Sequence, residues 1–388
     1  MKFELTEQQK VARDKALQWW KKKDKQVFEI SGIAGSGKTT IVYSIVEELG
    51  LAHDNVLFMA YAGKATLALA LKGNFAKTIH STIYDLRKVP TVNELGEVVK
   101  YNDRIVYRTE FVKKEELPSH IKLLVVDEAA MVPENIANDL LSFNVPIIAL
   151  GDNNQLPPIF GKSFFLQSPD AILTEPMRQA LDSPIIYLAL KAIKGEYIRI
   201  GRYGESLVIK KDMLTDEMLT SADVTICGRN KTRDEINNHV RHDILKLDKA
   251  YPVIGDKVIC RKNNWNREIL DNIFLINGMI GYVEDIYLDT FDGNALGIDF
   301  RPEFLKKEMF YNVPIDYKYI TTPYEKRSKG RSYYDLFEYA YAITVHIAQG
   351  SEYENVLIYN EQMGDRDFYK RWLYTALTRA SNSLILAL

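Results

Sequence analysis

The sequence predicts an α/β protein of two units, each a parallel sheet covered by helices, with a β-hairpin inserted in the first and a small β-barrel inserted in the second. Three observations carry this. Apolar runs of strand length alternate with helical stretches over roughly the first 150 residues. The same alternation restarts near residue 173 and returns after residue 336. Between about 252 and 335, helical periodicity gives way to closely spaced turns among β-branched and aromatic residues. The expected boundaries are 1–172 for the first unit, 173–251 with 336–388 for the second, and 252–335 for the β-rich insertion.

The first unit opens with Leu-Thr-Glu-Gln-Gln-Lys, in which Thr6 stands as a helix N-cap and Gln9 three residues on completes a capping box. A short apolar run at 27–30 then leads into Gly-Ile-Ala-Gly-Ser-Gly-Lys-Thr at 32–39, and Ile41, Val42, Ile45, Val46 and Leu49 follow at helical spacing. Strand, glycine-rich turn and helix are the context that a phosphate-binding loop needs. Gly32, Gly35, Ser36, Gly37, Thr39 and Thr40 would surround phosphate oxygens, aided by backbone N–H groups and the helix dipole. Lys38 would reach the β- and γ-phosphates, and Thr39 would hold Mg²⁺. The implied ligands are therefore a nucleoside triphosphate and Mg²⁺.

A second strand is read at 55–60, with Ala62-Gly63-Lys64-Ala65 opening another helix, and Lys-Thr-Ile-His-Ser follows at 77–81. The hairpin insertion is expected at about 88–118, pairing 97–101 with 104–111 across an Asn102-Asp103 turn. The buried run at 121–126 ends in Asp127-Glu128, and the run at 146–150 ends in Gly151-Asp152. These acidic groups fall at the same sheet edge as the phosphate loop, where open α/β sheets bind ligands. Asp127 would position Mg²⁺, and Glu128 would take a proton from the attacking water. In the Gly-Asp-Asn-Asn-Gln-Leu-Pro-Pro stretch that starts at Gly151, Gln155 can sense the γ-phosphate. Arg178 and Arg379, both in the second unit, could deliver guanidinium groups to that phosphate or form ordinary surface ion pairs.

Composition narrows the function. With 388 residues, a net charge of −2 and 46% hydrophobic residues, the chain can bury large cores but has no global basic excess, so any nucleic acid must lie in a local groove. Two cysteines, Cys227 and Cys260, are too few for a disulfide framework and fit a reducing cytoplasm. No apolar run is long enough for a membrane span, and none resembles a leader. Tyr and basic residues between 310 and 341, among them Lys326, Arg327, Lys329 and Arg331, could stack bases and touch phosphates or form an ordinary charged face.

Taken in order, these motifs resemble superfamily 1 DNA helicases of the RecD and Dda branch, most of all the compact phage members. The residues that carry the resemblance are 5–10, 32–39, 62–65, 78–81, 127–130 and 151–158 in the first unit. In the second they are Arg178, Thr-Val-His-Ile-Ala-Gln-Gly-Ser-Glu at 344–352, and 374–379. Ala130 stands where the family more often has Ser.

The resemblance implies two RecA-like domains that clamp ATP and step along single-stranded DNA, with 5′-to-3′ polarity. It implies a strand-separating pin for the hairpin and an SH3-like module for the β-rich insertion. Gln9 becomes the adenine reader. Lys64, Thr78, His80, Thr344 and His346 touch the strand, and Gly350 and Glu352 lie near the nucleotide. The implied partners are single-stranded DNA, duplex DNA at a fork, and a single-strand-binding, replication or recombination protein. The implied state is a monomer, in the cytoplasm or, for a phage-encoded chain, that of the host. Two alternatives stay open on the residues: an ATP-regulated remodelling factor that displaces proteins or aids recombination, and an RNA helicase.

Overall fold

The computed structural model describes residues 5–388 except 62, 72, 91, 93–95, 99, 102–103, 106, 158–162, 178–181, 271–272, 289–294 and 328–331. It divides into two compact units. One comprises residues 1–32, 38–151 and 157–173; the other comprises 33–37, 152–156 and 174–388.

The first unit is built on a six-stranded sheet with the order Ala171–Leu173, Val27–Gly32, Ile147–Gly151, Leu123–Asp127, Val56–Ala60, Ala76–Thr78, and every pairing is parallel. Successive strand residues point to opposite faces, and both faces are apolar. Phe28, Ile30, Phe58, Leu123, Val125 and Ile148 pack on one side with Ala12, Ala16, Ile41 and Ile45 from helices. Leu57, Met59, Leu124, Val126, Ile147 and Ala149 pack on the other with Ile79, Ile136 and Leu140. This double burial explains why these strands read as continuous apolar runs.

The helix Glu7–Lys22 starts with the expected capping box. It ends where Lys23 turns left-handed at φ +53°, and it buries Ala12, Ala16 and Trp19 along one stripe.

The hairpin region differs from expectation. Tyr107–Lys113 pairs antiparallel with Tyr84–Pro90, in register from Tyr84 opposite Lys113 to Pro90 opposite Tyr107. Among the described residues, Lys100–Tyr101 pairs with Arg104–Ile105 as expected, and residues 102–103 lie outside the described residues. The longer ladder begins where the helix Ile79–Ile83 ends at Tyr84. Its first strand is hidden in the sequence by that helical start.

The second unit carries a six-stranded sheet ordered Gly201–Tyr203, Ser206–Ile209, Ala380–Ala387, Tyr353–Tyr359, Val224–Cys227, Ala342–Thr344. Its pairings are parallel apart from the antiparallel edge hairpin 201–203/206–209. The helix Pro184–Lys194 is capped by Ser183, and Arg366–Leu377 by Asp365. Between Val224–Cys227 and Ala342–Thr344 the chain adds a five-stranded antiparallel sheet in the order Phe310–Asp316, Ala295–Pro302, Ile280–Tyr287, Lys257–Cys260, Phe337–Tyr339.

Two buried ionic groups fasten this sheet. The Arg241 guanidinium donates to Asp256 at 3.0 Å, and Asp256 also accepts the Tyr341 hydroxyl at 2.8 Å. Glu338 accepts from Arg233 at 2.9 Å and pairs with Arg261 and Arg327. Each buried charge therefore has several partners, the condition under which burial is tolerable. Among the described residues no helix is long and apolar enough to cross a membrane.

Candidate functional site

In the first unit, three neighbouring strands end at one edge of the sheet. Val27–Gly32 runs into the glycine-rich loop, Ile147–Gly151 lies beside it, and Leu123–Asp127 comes next. Gly35 and Gly37 adopt φ of +74° and +76°, a conformation in which a side chain would be strained, so the loop needs glycine there to curl. The helix Lys38–Glu48 begins at the next residue and includes Thr39 and Thr40 in its first turn. Lys38 Nζ donates to the Gly32 carbonyl at 2.7 Å, which draws the ammonium back over the loop's first residue.

Asp127 and Glu128 are half-buried. Asp127 Oδ1 accepts the Glu128 N–H at 2.8 Å, and Glu128 takes a left-handed φ of +48°. For a residue with a Cβ, that conformation costs roughly 1–2 kcal/mol. Such strain gathers where a side chain must be aimed.

Gln9 is buried, and its Oε1 accepts the Thr6 N–H at 2.9 Å.

The remaining nucleotide candidates lie in the second unit. Gln155 is buried in the 152–156 turn, with its N–H donating to the Asp152 carbonyl at 3.2 Å. Gly350 is left-handed at φ +71°, and Glu352 is exposed. Arg379 is almost wholly buried. Its guanidinium donates to the carbonyls of Thr375 and Ser351, each at 3.0 Å, and to Thr378 Oγ1 at 3.1 Å. The arginine is thereby bound to the turn that carries Gly350 and Glu352. Arg178 and Pro158 lie outside the described residues.

The strand-contact candidates divide in the same way. In the first unit, Lys64 sits in the helix Gly63–Leu71, and Thr78 caps Ile79–Ile83 by accepting the Ser81 N–H at 3.1 Å. The His80 ring lies 5.4 Å from Tyr61, 5.9 Å from Tyr84 and 5.7 Å from Phe111, and about half of Phe111 is exposed. Burial among these rings lowers the His80 pKa, so the imidazole is neutral at pH 7 and presents a π-face in place of a charge. In the second unit, Thr344 is buried at the end of its strand. His346, its pKa also lowered by burial, lies 6.4 Å from Phe368.

Sequence reasoning missed the residues that tie these candidates together. Tyr61, Tyr84 and Phe111 surround His80, yet they come from three separate segments. Tyr374 and Thr375 were visible only as part of Leu-Tyr-Thr-Ala-Leu-Thr-Arg, where they pass for helix core. In the structure the Tyr374 hydroxyl accepts the Ala34 N–H at 2.7 Å and donates to Asp152. Burial and the Asp152 charge push the Tyr374 pKa far up, so the phenol keeps its proton. Among the described residues no three His, Cys, Asp or Glu side chains gather as a metal cluster.

Residues 16–161 match a family model described as an AAA domain, and residues 339–387 match a UvrD-like helicase C-terminal domain. The ATP-dependent RecD2 DNA helicase of Deinococcus radiodurans is 26% identical over 382 residues, 90% of this chain and 45% of that protein. The ATP-dependent DNA helicase dda of Enterobacteria phage T4 is 27% identical over 328 residues, 74% of this chain and 69% of that protein. The fold is similar to that of Bacteroides Pif1 bound to ssDNA, with a TM-score of 0.54 at 16% identity over 100% of this chain and 93% of that one. The chain spans 36% and 45% of the length of two of the curated relatives it matches.

Proposed function

We propose that this chain, similar to superfamily 1 helicases of the RecD and Dda branch, is an ATP-dependent DNA helicase that moves along single-stranded DNA and separates duplex at a fork. The observation that carries this reading is the shared sheet edge, where the glycine-rich loop and Asp127-Glu128 leave parallel strands separated by a single strand. A phosphate-binding loop alone can only hold a triphosphate. A strained, half-buried glutamate on a nearby strand end adds a base for water.

In this reading Gly32, Gly35, Ser36, Gly37 and Thr40 line the phosphates, and Lys38 leaves the Gly32 carbonyl to meet the β- and γ-phosphates. Glu128 accepts the proton of the attacking water, and Gln155 senses the γ-phosphate. Arg178 and Arg379 belong to the same reaction. Gln9 addresses the base, and Gly350 and Glu352 lie near the nucleotide. The Thr39 hydroxyl and the Asp127 carboxylate are hard oxygen donors of the kind Mg²⁺ prefers, and the ion would neutralise phosphate charge.

Lys64, Thr78, His80, Thr344 and His346 serve the strand, with stacking on the neutral His80 group as the main term. The two six-stranded units act as RecA-like motor domains, the antiparallel ladder 84–90/107–113 as the pin, and the five-stranded insertion as an SH3-like module. Polarity is 5′-to-3′ by family resemblance. The RecD2 and dda proteins are DNA helicases by name, and Pif1 has been solved on ssDNA. Both facts support DNA as the track.

The test is ATP turnover with no nucleic acid, with single-stranded DNA and with RNA, followed by unwinding of duplexes tailed at the 5′ or the 3′ end. Stimulation by DNA and unwinding of the 5′-tailed duplex are expected. Turnover stimulated by RNA alone would make the track RNA. Stimulated turnover with neither tailed duplex unwound would leave a remodelling factor.

A further inference from the structure

Tyr374 lies in the helix Arg366–Leu377 with none of its surface exposed, and its hydroxyl meets two other segments of the same compact unit. It accepts the Ala34 N–H at 2.7 Å and donates to Asp152 Oδ2. The other carboxylate oxygen, Asp152 Oδ1, accepts the Asn154 N–H at 2.9 Å, and the Asp152 carbonyl accepts the Gln155 N–H at 3.2 Å. One residue along the helix, Thr375 Oγ1 accepts the Leu156 N–H at 2.9 Å, while Gln349 Nε2 donates to the Leu156 carbonyl at 2.8 Å. Both ends of the 152–156 turn are therefore bonded to side chains from the C-terminal part of the chain. Through the Tyr374 hydroxyl, the tip of the phosphate loop is bonded to that turn as well.

A phenol has one proton to donate and lone pairs with which to accept, and Tyr374 uses both capacities. Phenylalanine would fill the same space, yet it would leave the Ala34 N–H without this acceptor and the buried Asp152 carboxylate without one donor. The geometry thus separates a polar task from a packing task at one residue.

We propose that Tyr374 is a positioning residue whose hydroxyl sets the register of phosphate-loop residues 33–37 against the turn that carries Gln155. The segment that grips phosphate and the segment that senses it are then held by the helix that leads to Arg379. The proposal rests on the ATP hydrolysis assigned above and adds a residue that touches no reacting atom. Its effect passes through Ala34 and Asp152, so it falls on the chemical step more than on nucleotide affinity.

The variant Tyr374→Phe tests this. Losing a charge-assisted hydrogen bond of this kind predicts about a tenfold fall in kcat for ATP, with KM and the affinity for a fluorescent ATP analogue changed by less than about twofold. In the nucleotide-free protein, amide exchange at Ala34 and Asn154 should quicken. Asp152→Asn has one acceptor oxygen where the hydroxyl and the Asn154 N–H use two, so it should lose kcat to a similar extent as Tyr374→Phe. An unchanged kcat with unchanged exchange overturns the proposal. So does an equal loss in kcat and nucleotide affinity, because that is the mark of a packing defect. If the wild-type protein turns over no ATP, the functional reading fails by itself, and exchange at Ala34 still decides the positioning role, with an unchanged rate in Tyr374→Phe counting against it.

Discussion

The two six-stranded sheets end in different ways. At the edge of the first, Lys38, Asp127 and Glu128 are half-buried, and the backbone near them is bent left-handed at Gly35, Gly37 and Glu128. In the second unit, Thr344, Gln349, Tyr374 and Arg379 are each less than a tenth exposed. Tyr374, Gln349 and Arg379 give their polar atoms to other parts of the protein. Half-buried charge on a strained backbone is an arrangement for meeting a ligand. Buried and satisfied polar groups are an arrangement for holding a position. On the function proposed above, the first edge would supply most of the chemistry, and the second would hold its own reacting groups in position.

The largest break in this comparison is Lys38→Ala. Removing the cation that neutralises phosphate charge should lower ATP turnover by on the order of 10³-fold while the thermal midpoint stays near wild type. Glu128→Gln should follow, with roughly a hundredfold loss in turnover and ATP still bound, because the amide cannot take the water's proton. Near-normal turnover in either variant would remove the first edge from the chemistry.

Arg379→Ala should behave differently, because its guanidinium is bonded to Thr375, Ser351 and Thr378. Stability should fall by about 2 kcal/mol in addition to any loss of turnover. Calorimetry that finds no loss of stability would make Arg379 a purely chemical residue and weaken the contrast between the edges.

How much of this was legible in the sequence follows the same division. The first edge is made of local signals: an apolar run, then glycines and Lys38, and another apolar run, then Asp127-Glu128. The second edge depends on distant pairings. Tyr374 in an apolar helix looks like core until Ala34 and Asp152 are seen beside it, some 340 and 222 residues away in the chain. The hairpin was legible in its short pair, Lys100–Tyr101 with Arg104–Ile105, and misread in its longer ladder for a similar reason. Tyr107–Lys113 could have been paired with residues just before the turn, and only the register shows that its partner is Tyr84–Pro90. Gln9 shows the reverse case, since its cap with Thr6 is local and was legible.

A smaller effect sharpens the strand-contact half of the first unit. Phe111 is the exposed member of the ring group around His80 and belongs to the long ladder. Phe111→Ala should weaken single-stranded DNA binding by about five- to tenfold, the loss of one stacking partner, while DNA-free ATP turnover stays unchanged. Affinity equal to wild type would detach the ring group from the strand.

The smallest effect is a pH dependence shared by both units. Burial lowers the pKa of His80 and of His346 in the folded protein below the ordinary value of about 6.5. Between that folded value and about 6.5, the unfolded chain binds protons that the folded chain refuses. Stability from these two sites is therefore complete above about pH 6.5 and is lost as pH falls below it. Thermal unfolding followed from pH 7.5 down to 5.5 should show the midpoint falling, and the double variant His80→Gln/His346→Gln should show a shallower fall. If each single variant removes part of the slope, both histidines are buried neutral bases. If only His80→Gln does, the two units differ here as well, and His346 is held less firmly than the other polar groups of the second edge.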